Sequence, residues 1–579
     1  MGETLEGMTS PRRIAVVGAG PAGTALALGL VRQGFDVTLV SDRSAEEIRS
    51  GSVMSSQVTF ESALEVEHAL GIAELLPTAP PIGRMSYATE RVDGSTAEFA
   101  TELPTAARSL DQRVRLPLLI EELERRGGKV VTRVVSVDDL EELARDHDLV
   151  VVSSGRAGLA SLFPVDAERS PYSSPQRVAA LTYLRGVAPD PAGPGLRYHC
   201  VEGVGECFSC PAMTADGPCD IVVVEGVPGG PLDAWDDART PAAHLARLQE
   251  LLGEHFPAEA ARLTDATLVD DKAVLQGQIT PVVRRPVGVL PSGAAVLGMA
   301  DVVVLNDPLT SQGSNNATKS ASFYLEAITA HRGAFDAAWM QRTFDNFWRG
   351  WAQWATEWTN SWLQPARPHQ RAVVDAAHRR PSVAERIAAG FDDARLFAPW
   401  WFDADEAAAF LARQEAVEAS RFDTRDLRRA LGQYATGVTV VTTVDEEGRP
   451  FGMTANSFTS VSITPPLVLW AAAKSSPSLP AFEASERFAV NVLASDQHHL
   501  SRQFATSGSD KFDGVRLRTG DLPLLEGTVA SFTCRRTQRV DAGDHVLFLG
   551  EIESYDAPGG EPLVFHSGFY RLATKHPDL

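Results

Sequence analysis

The stretch IAVVGAGPAGTALALGLV, Ile14 to Val31, decides how this chain is read. It is uncharged throughout and follows Arg12 and Arg13, the arrangement of a secretory leader or a membrane span. Glycines and a proline interrupt it, however, and no small-residue cleavage site stands out. A buried strand, a tight turn and a helix from about Pro21 to Gln33 account for it better, because proline suits the first helical turn.

Gly18, Gly20 and Gly23 form G-x-G-x-x-G in that turn. The first glycine permits the turn, the second lets a pyrophosphate approach the backbone, and the third lets helix pack on strand. Unpaired N–H groups at the helix start favour phosphate. FDVTLVSDR reads as the next strand. Its Asp42, nineteen residues after Gly23, is a candidate for the ribose hydroxyls, and Arg43 for the adenosine. VVVSSGR, Val150 to Arg156, reads as a further strand. Much later GAAVLGMADVVVLNDP restores the apolar pattern and brings Asp301 after a glycine turn. Pro308 stiffens the following loop, and Gly313, Ser314, Asn315 and Asn316 open a helix whose N–H groups suit the N1–C2=O edge of a flavin.

Between these segments, from about 174 to 280, β-rich runs alternate with Pro/Gly turns, the pattern of an inserted substrate lobe. From Asp336 to Leu363 the sequence is helical, and Trp348, Trp351, Trp358 and Trp362 fall on one face, as a packed core or seam would place them. DADEAAAFLARQEAVEAS reads as a polar connecting helix, and beyond about Arg421 alternating β runs dominate. The expected layout is residues 11–405, a helical linker 406–421, and a second domain 422–579.

A length of 579 residues calls for several folding units. The formal charge of −22 disfavours nucleic acid and anionic membranes. Five cysteines, four of them Cys200, Cys207, Cys210 and Cys219, read as reduced thiols on a strand–turn–strand rather than as a metal site, and point to the cytoplasm.

The G-x-G-x-x-G strand, IRSGSVMSSQVTFESAL, ITPVVRRPVGVLPSG and NDPLTSQGSNNATK together resemble the FAD-dependent styrene and indole monooxygenases. The resemblance implies an FAD-binding Rossmann-like α/β domain of the aromatic hydroxylase type with a β-rich substrate lobe. It implies that Gly18, Gly20, Gly23, Asp42, Arg43, Arg113, Asp301 and the Pro308–Asn316 loop surround FAD. Ser55, Ser56 and Gln57 would lie along the cofactor and substrate side. Pro308 and Asn316 are the residues expected nearest the oxygenation chemistry. Ser311 stands in the SQG turn where many relatives would carry glycine. The turn Ser153-Ser154-Gly155 lacks the Asp of single-component hydroxylases, so this domain is expected to take reduced flavin from elsewhere.

ATGVTVVTT, GMTANSFTSVSITPPLVL, AKSSPS, RFAVNVLASDQ, DHVLFLGEIE and FHSGFYR resemble, in order, the short-chain flavin reductases. That resemblance implies a split β-barrel, a flavin bed at Thr454, Ala455, Asn456 and Ser457, phosphate contacts from Lys474, Ser475 and Ser476, and a further polar contact from Asn491. It places His545 near the nicotinamide and His566 and Tyr570 in the tail motif, and it implies a homodimer through this domain. The joint expectation is a self-sufficient enzyme with two FAD sites, driven by NADH or NADPH. Reduced FAD and O2 would give a C4a-hydroperoxide that epoxidises a styrene- or indole-type double bond. A peroxide-forming flavin oxidoreductase and a non-catalytic flavin sensor are the alternatives.

Overall fold

The computed structural model describes residues 11–418, 424–445, 447–506 and 511–573. The chain divides into two compact units, Met1–Val417 and Glu418–Leu579. Residues 419–421 of the expected linker, and 422–423 of the expected second domain, lie outside the described residues.

The first unit holds two large sheets and a two-stranded one, Val282–Val283 with Val304–Leu305. Arg13–Val17 lies between Asp36–Ser41 and Leu149–Val152, all parallel, with Lys129–Thr132 beyond Asp36–Ser41 and the hairpin Val287–Val289/Ala295–Gly298 beyond Leu149–Val152. These strands are apolar on both faces because helices cover both. The helix Pro21–Arg32 packs on Gly313–Ala330, and both close over this sheet.

The second sheet has eight strands. Val178–Arg185, Gly195–Val201, Gly205–Thr214, Gly217–Gly226, Thr267–Leu268 and Val274–Gln278 come from the stretch expected to form the lobe. Two long strands, Pro81–Glu90 and Thr96–Arg108, join from outside it, so the lobe is wider than 174–280. Apart from a bulge between Ile82 and Arg84, buried and more exposed residues largely alternate along them, as in a sheet with one covered face. Cys200, Cys207, Cys210 and Cys219 sit in these strands as free thiols, and no metal-binding cluster occurs among the described residues.

The tryptophan-rich segment is helical, Ala337–Phe347 and Gln353–Trp362, but a π turn at Trp348–Ala352 joins the two parts. The extra residue rotates the face. Trp348 and Trp351 therefore enter the core under the first sheet, while Trp358 enters the lobe core, so the four do not share one face. The connecting helix spans Ala404–Glu418.

The second unit is built on a seven-stranded antiparallel sheet, in order Pro450–Ala455, Thr439–Val444, Arg487–Val492, Ala530–Ala542, His545–Asp556, Pro466–Ala473 and Thr459–Ile463. Its two edge strands are joined by only residues 456–458. The sheet must therefore curl until its edges nearly meet, a barrel left open along one seam. Trp470, Phe482, Phe488 and Phe548 fill its interior. No helix among the described residues is long and apolar enough to cross a membrane.

Candidate flavin sites

In the first unit the three glycines are required for different reasons. Gly18 has φ +112°, and a Cβ there would lie 2.7 Å from Ser153 Oγ. A Cβ on Gly23 would fall 1.9 Å from Gly18 O. Around Gly20 nothing lies within 4 Å of such a Cβ, so the space is open to a ligand. Gly20 caps the helix without a side-chain bond and Pro21 follows, leaving first-turn N–H groups facing that space. The arrangement fits a dinucleotide pyrophosphate.

A pocket of about 200 Å³ adjoins it, lined by Gly18, Asp42, Arg133, Val135, Ser154 and Leu159 among others. Asp42 lines this pocket just beyond the end of its strand. Arg43 does not line this pocket: its Nη2 meets Met54 Sδ at 3.2 Å. The arginine in the wall is Arg133, which pairs with Asp139 at 3.0 Å. It follows the strand Lys129–Thr132 alongside Asp36–Ser41, a parallel neighbour that the motif alone does not announce.

The second element is the loop ahead of Gly313–Ala330. Asp307 caps the turn Pro308–Thr310 by accepting from Leu309 N at 3.1 Å. Ser311 takes the left-handed region, φ +57°, the conformation for which glycine would be expected, and its Oγ lies 3.0 Å from Tyr198 Oη. Gln312 caps the helix without a side-chain bond, so the backbone N–H groups of Gly313, Ser314 and Asn315 precede the first helical bond, Asn316 N to Gln312 O. Gly313 is exposed, and Ser314 and Pro308 are half-buried. Asn316 accepts from Trp351 Nε1 at 2.8 Å, and its buried Nδ2 has no partner among the described residues. An orphaned donor at a helix N-terminus suits a carbonyl or an anionic ring edge. Asp301 lies exposed in the Ala300–Val302 turn.

Several expected contacts are committed inside the protein instead. Asn315 is 1% exposed, accepts from Phe60 N at 3.0 Å and donates to Val58 O and Ser311 O, both at 2.9 Å. It ties the helix start to the 58–60 segment, leaving only its backbone N–H for a ligand. Arg113 is held by Asp111 at 2.7 Å and Asp270 at 2.8 Å, so its charge is already neutralised. Ser55 donates to Gln57, Gln57 donates to Tyr183 Oη at 2.7 Å, and Tyr183 donates back to Ser55 O. Ser56 beside them is half-buried.

In the second unit, residues 456–458 cross the open seam of the sheet. Thr454 Oγ1 donates to Ser501 O, Ala455 O accepts from Thr439, and Ser457 Oγ clips to Ala471 through its N and O. These bonds fix the backbone while Asn456 points outward, exposed. The Ser457–Ala471 clip also places the seam two residues from Ala473, which pairs with His545 across the ladder. Lys474 and Ser475, both exposed, and half-buried Ser476 follow at that strand end. Lys474 Nζ is 3.2 Å from Asp541, and His545 Nδ1 is 2.8 Å from Asp544. Register thus gathers Asn456, Lys474 and His545 on one rim. Asn491 does not join them: fully buried, it donates to Val440 O and Thr442 Oγ1 and accepts from Leu525 N. Tyr570 Oη meets Ser501 Oγ at 2.8 Å, so the tail motif braces the helix His498–Ala505, whose Ser501 O receives Thr454.

Three families match the chain: "FAD binding domain" over residues 12–152, "Styrene monooxygenase A putative substrate binding domain" over 155–262, and "Flavin reductase like domain" over 431–573. Styrene monooxygenase StyA of a Pseudomonas sp is 29% identical over 392 residues, covering 66% of this chain and 93% of that protein. FMN reductase (NADH) SmoA of Agrobacterium fabrum is 47% identical over 150 residues, 26% of this chain and 85% of that protein. The styrene monooxygenase flavin reductase of Pseudomonas putida S12, a solved structure, is 32% identical, covering 26% of this chain and 99% of that one, with a TM-score of 0.25. The chain belongs to the self-sufficient flavin monooxygenases, in which a styrene monooxygenase-type FAD domain and a flavin reductase-like domain share one polypeptide.

Proposed function

We propose that this chain couples NAD(P)H oxidation to epoxidation of an aryl-substituted or indole-type carbon–carbon double bond. Residues 11–405 would carry the oxygenation, 406–421 the tether and 422–579 the flavin reduction. The balance is alkene + O2 + NAD(P)H + H⁺ giving epoxide + NAD(P)⁺ + H2O. The observation that carries this reading is the presence of two flavin-type beds of different construction in one chain. One is a glycine cradle with open space over Gly20, the other a seam crossed by residues 456–458.

Bound flavin supplies hydride acceptance at the second bed and activation of O2 at the first. The protein's part is positional. At the second bed the Asn456–Ser457 backbone orients the ring edge, Lys474, Ser475 and Ser476 hold phosphate, and His545 orients the nicotinamide. At the first, Gly18 to Gly23 and Asp42 hold the dinucleotide, and Asn316 Nδ2 with the Gly313–Asn315 N–H groups faces the ring. Beside the 308–312 loop, Tyr198, Phe391, Phe60 and Trp358 form a continuous aromatic wall, with centroids 4.7–6.3 Å apart from Phe391 to its three neighbours. Such a wall excludes water and accepts an aryl group. No side-chain acid or base is needed for oxygen transfer. The tether maintains the second site at an effective concentration of roughly millimolar scale while O2 competes for reduced flavin.

The test is incubation of the full chain with NADH, FAD, air and either styrene or indole. Styrene oxide, or blue pigment from indole, is expected. NADH consumption with peroxide alone would replace this reading by a simple flavin oxidoreductase, and negligible consumption would leave a flavin-binding sensor. A homodimer through the second unit is part of the proposal. Leu431, Tyr434, Phe569 and Leu572 are exposed there, and the Ser567 N to Gly432 O bond brings their two segments together. Sedimentation that gives a monomer would remove it. Five free cysteines suit a reducing compartment such as the cytoplasm.

A further inference from the structure

Under the loop just assigned to the flavin lies a group of acids that the oxygenation chemistry does not use. Glu225, on the lobe strand Gly217–Gly226, is 0% exposed, and Asp307, at the head of the Pro308–Thr310 turn, is 1% exposed. Their carboxyl groups face one another closely enough to interact. Yet neither oxygen of Glu225, nor Asp307 Oδ2, finds a donor among the described residues.

The surrounding groups do not remedy this. Arg177 faces the pair, and its Nε and Nη2 are taken by both oxygens of Glu206 at 2.8 Å. Its Nη1 donates to Gln176 O. From the strand Gly195–Val201, Tyr198 uses its hydroxyl on Ser311, and Cys200 faces Glu206 and Glu225. Three carboxyls thus share one guanidinium. Two carboxylates in contact have only lone pairs to offer one another and repel. One proton between them turns the contact into a charge-assisted O–H···O⁻ bond and supplies the missing donor.

We propose that Glu225 and Asp307 hold a single shared proton, and that this acid bridge fastens the 307–311 turn to the lobe sheet and so positions the loop that faces the flavin. The positional part rests on the reading of the Pro308–Asn316 loop given above. The residues are a positioning pair: Asp307 adjoins Pro308 in the chain, and Glu225 acts through Asp307. Burial first, and then the neighbouring Asp307, pushes the Glu225 carboxyl well above the carboxylate range, and burial raises Asp307 as well. Alkaline loss of the shared proton restores two facing charges and releases the turn.

Infrared spectroscopy of the full chain at pH 8 tests the proton directly. Asp220, lifted only to about 6, is ionised there. A protonated carboxyl band sensitive to deuterium is expected in the parent and absent from Glu225→Gln. Hydrogen exchange of the peptide 304–312 at the same pH tests the positioning. Glu225→Ala should exchange about ten-fold faster than the parent, because a bridge worth one hydrogen bond to a charge is lost. Glu225→Gln should match the parent, because its amide donates to Asp307 without a titrating proton. Product formed per NADH should follow the same order. A parent without the band, or Glu225→Ala exchanging like the parent, overturns the proposal. A parent showing both band and protection while forming no oxygenated product upholds the bridge and refutes only the oxygenation reading.

Discussion

The two flavin-type beds are built on opposite principles. In the first unit the ligand space is bounded by backbone that admits no side chain at Gly18 or Gly23 and by buried polar groups pinned to one another, such as Asn315 and Gln57. In the second unit the bed lies along an open seam, and its charged and polar groups are largely at the surface: Asn456 is exposed, Lys474 is 46% exposed and His545 44%. A preorganised, enclosed site holds its ligand through geometry, and a rim of exposed groups holds it weakly and releases it. That contrast matches a division of labour in which one bed lends reduced flavin and the other retains it.

The sharpest way to break the contrast is Gly23→Ala. The new methyl would meet Gly18 O at 1.9 Å, a backbone clash that no side-chain rotation relieves. Displacing the turn costs about 3 kcal/mol. Oxygenated product should fall by about 100-fold or more, while NADH oxidation with added FAD stays within about two-fold of the parent, since Gly23 lies outside the second unit. Assaying both rates on one preparation decides it. A parallel fall would mean that the two beds are not independent.

Acid should separate the units next. His244 in the lobe is fully buried, with Nε2 facing Thr182 Oγ1 and Nδ1 facing the Gln276 amide nitrogen, both at 2.9 Å. An Nδ1 that accepts from Gln276 must be unprotonated. Burial accordingly lowers this imidazole to about 4. The unfolded chain binds the extra proton from its ordinary value of about 6.5 downward, so stability is full above that pH and is lost as pH falls towards 4, by roughly 1–3 kcal/mol. The described histidines of the second unit are exposed or half-buried. Thermal unfolding between pH 7 and 4.5 should therefore show the first unit losing stability, and His244→Gln should flatten that loss. A first unit as stable at pH 4.5 as at 7 would contradict the assigned tautomer.

Trp351 offers a finer probe of the enclosed bed. Its indole N–H fixes which end of the Asn316 amide points away from it, and Lys319 lies 4.7 Å over its ring. Trp351→Phe removes the bond and frees the amide to rotate. Product per NADH should drop about three- to ten-fold, the value of one buried hydrogen bond, with peroxide rising in compensation. An unchanged ratio would remove Asn316 Nδ2 from the site.

These examples also show what the sequence discloses. Periodicity and turn chemistry located the G-x-G-x-x-G cradle, the Gly313 helix start and the strand pattern of the second unit, because those signals are local. Arg133 escaped because its place depends on a parallel neighbour strand, and Trp351 because a π turn reoriented its helix. The resemblance places Arg113, Gln57 and Asn491 at the ligand, and Asn315 is expected there from its place at a helix start. Only the fold reveals that their polar groups are already matched inside, since satisfaction of a buried donor is a property of three-dimensional neighbours. The Glu225–Asp307 pair joins residues far apart in sequence and had no local signature at all.

The smallest expected effect probes the open bed. Lys474, the cation expected to meet phosphate, is bound to Asp541, which Arg539 also holds at 2.6 Å. An incoming phosphate must draw Lys474 away from that carboxylate. Because both partners are solvent-exposed, the competition is weak and screened by salt. Asp541→Asn should therefore lower the KM for flavin in the NADH oxidation assay by about two-fold at low ionic strength, and the difference should vanish at high salt. If Asp541 merely braced the strand end, the KM would rise instead and salt would not abolish the change. Tighter holding also predicts slower release, so the same variant should form slightly less oxygenated product per NADH even as its flavin reduction improves. That opposite movement of the two half-reactions is what a lending bed requires and a single shared site does not allow.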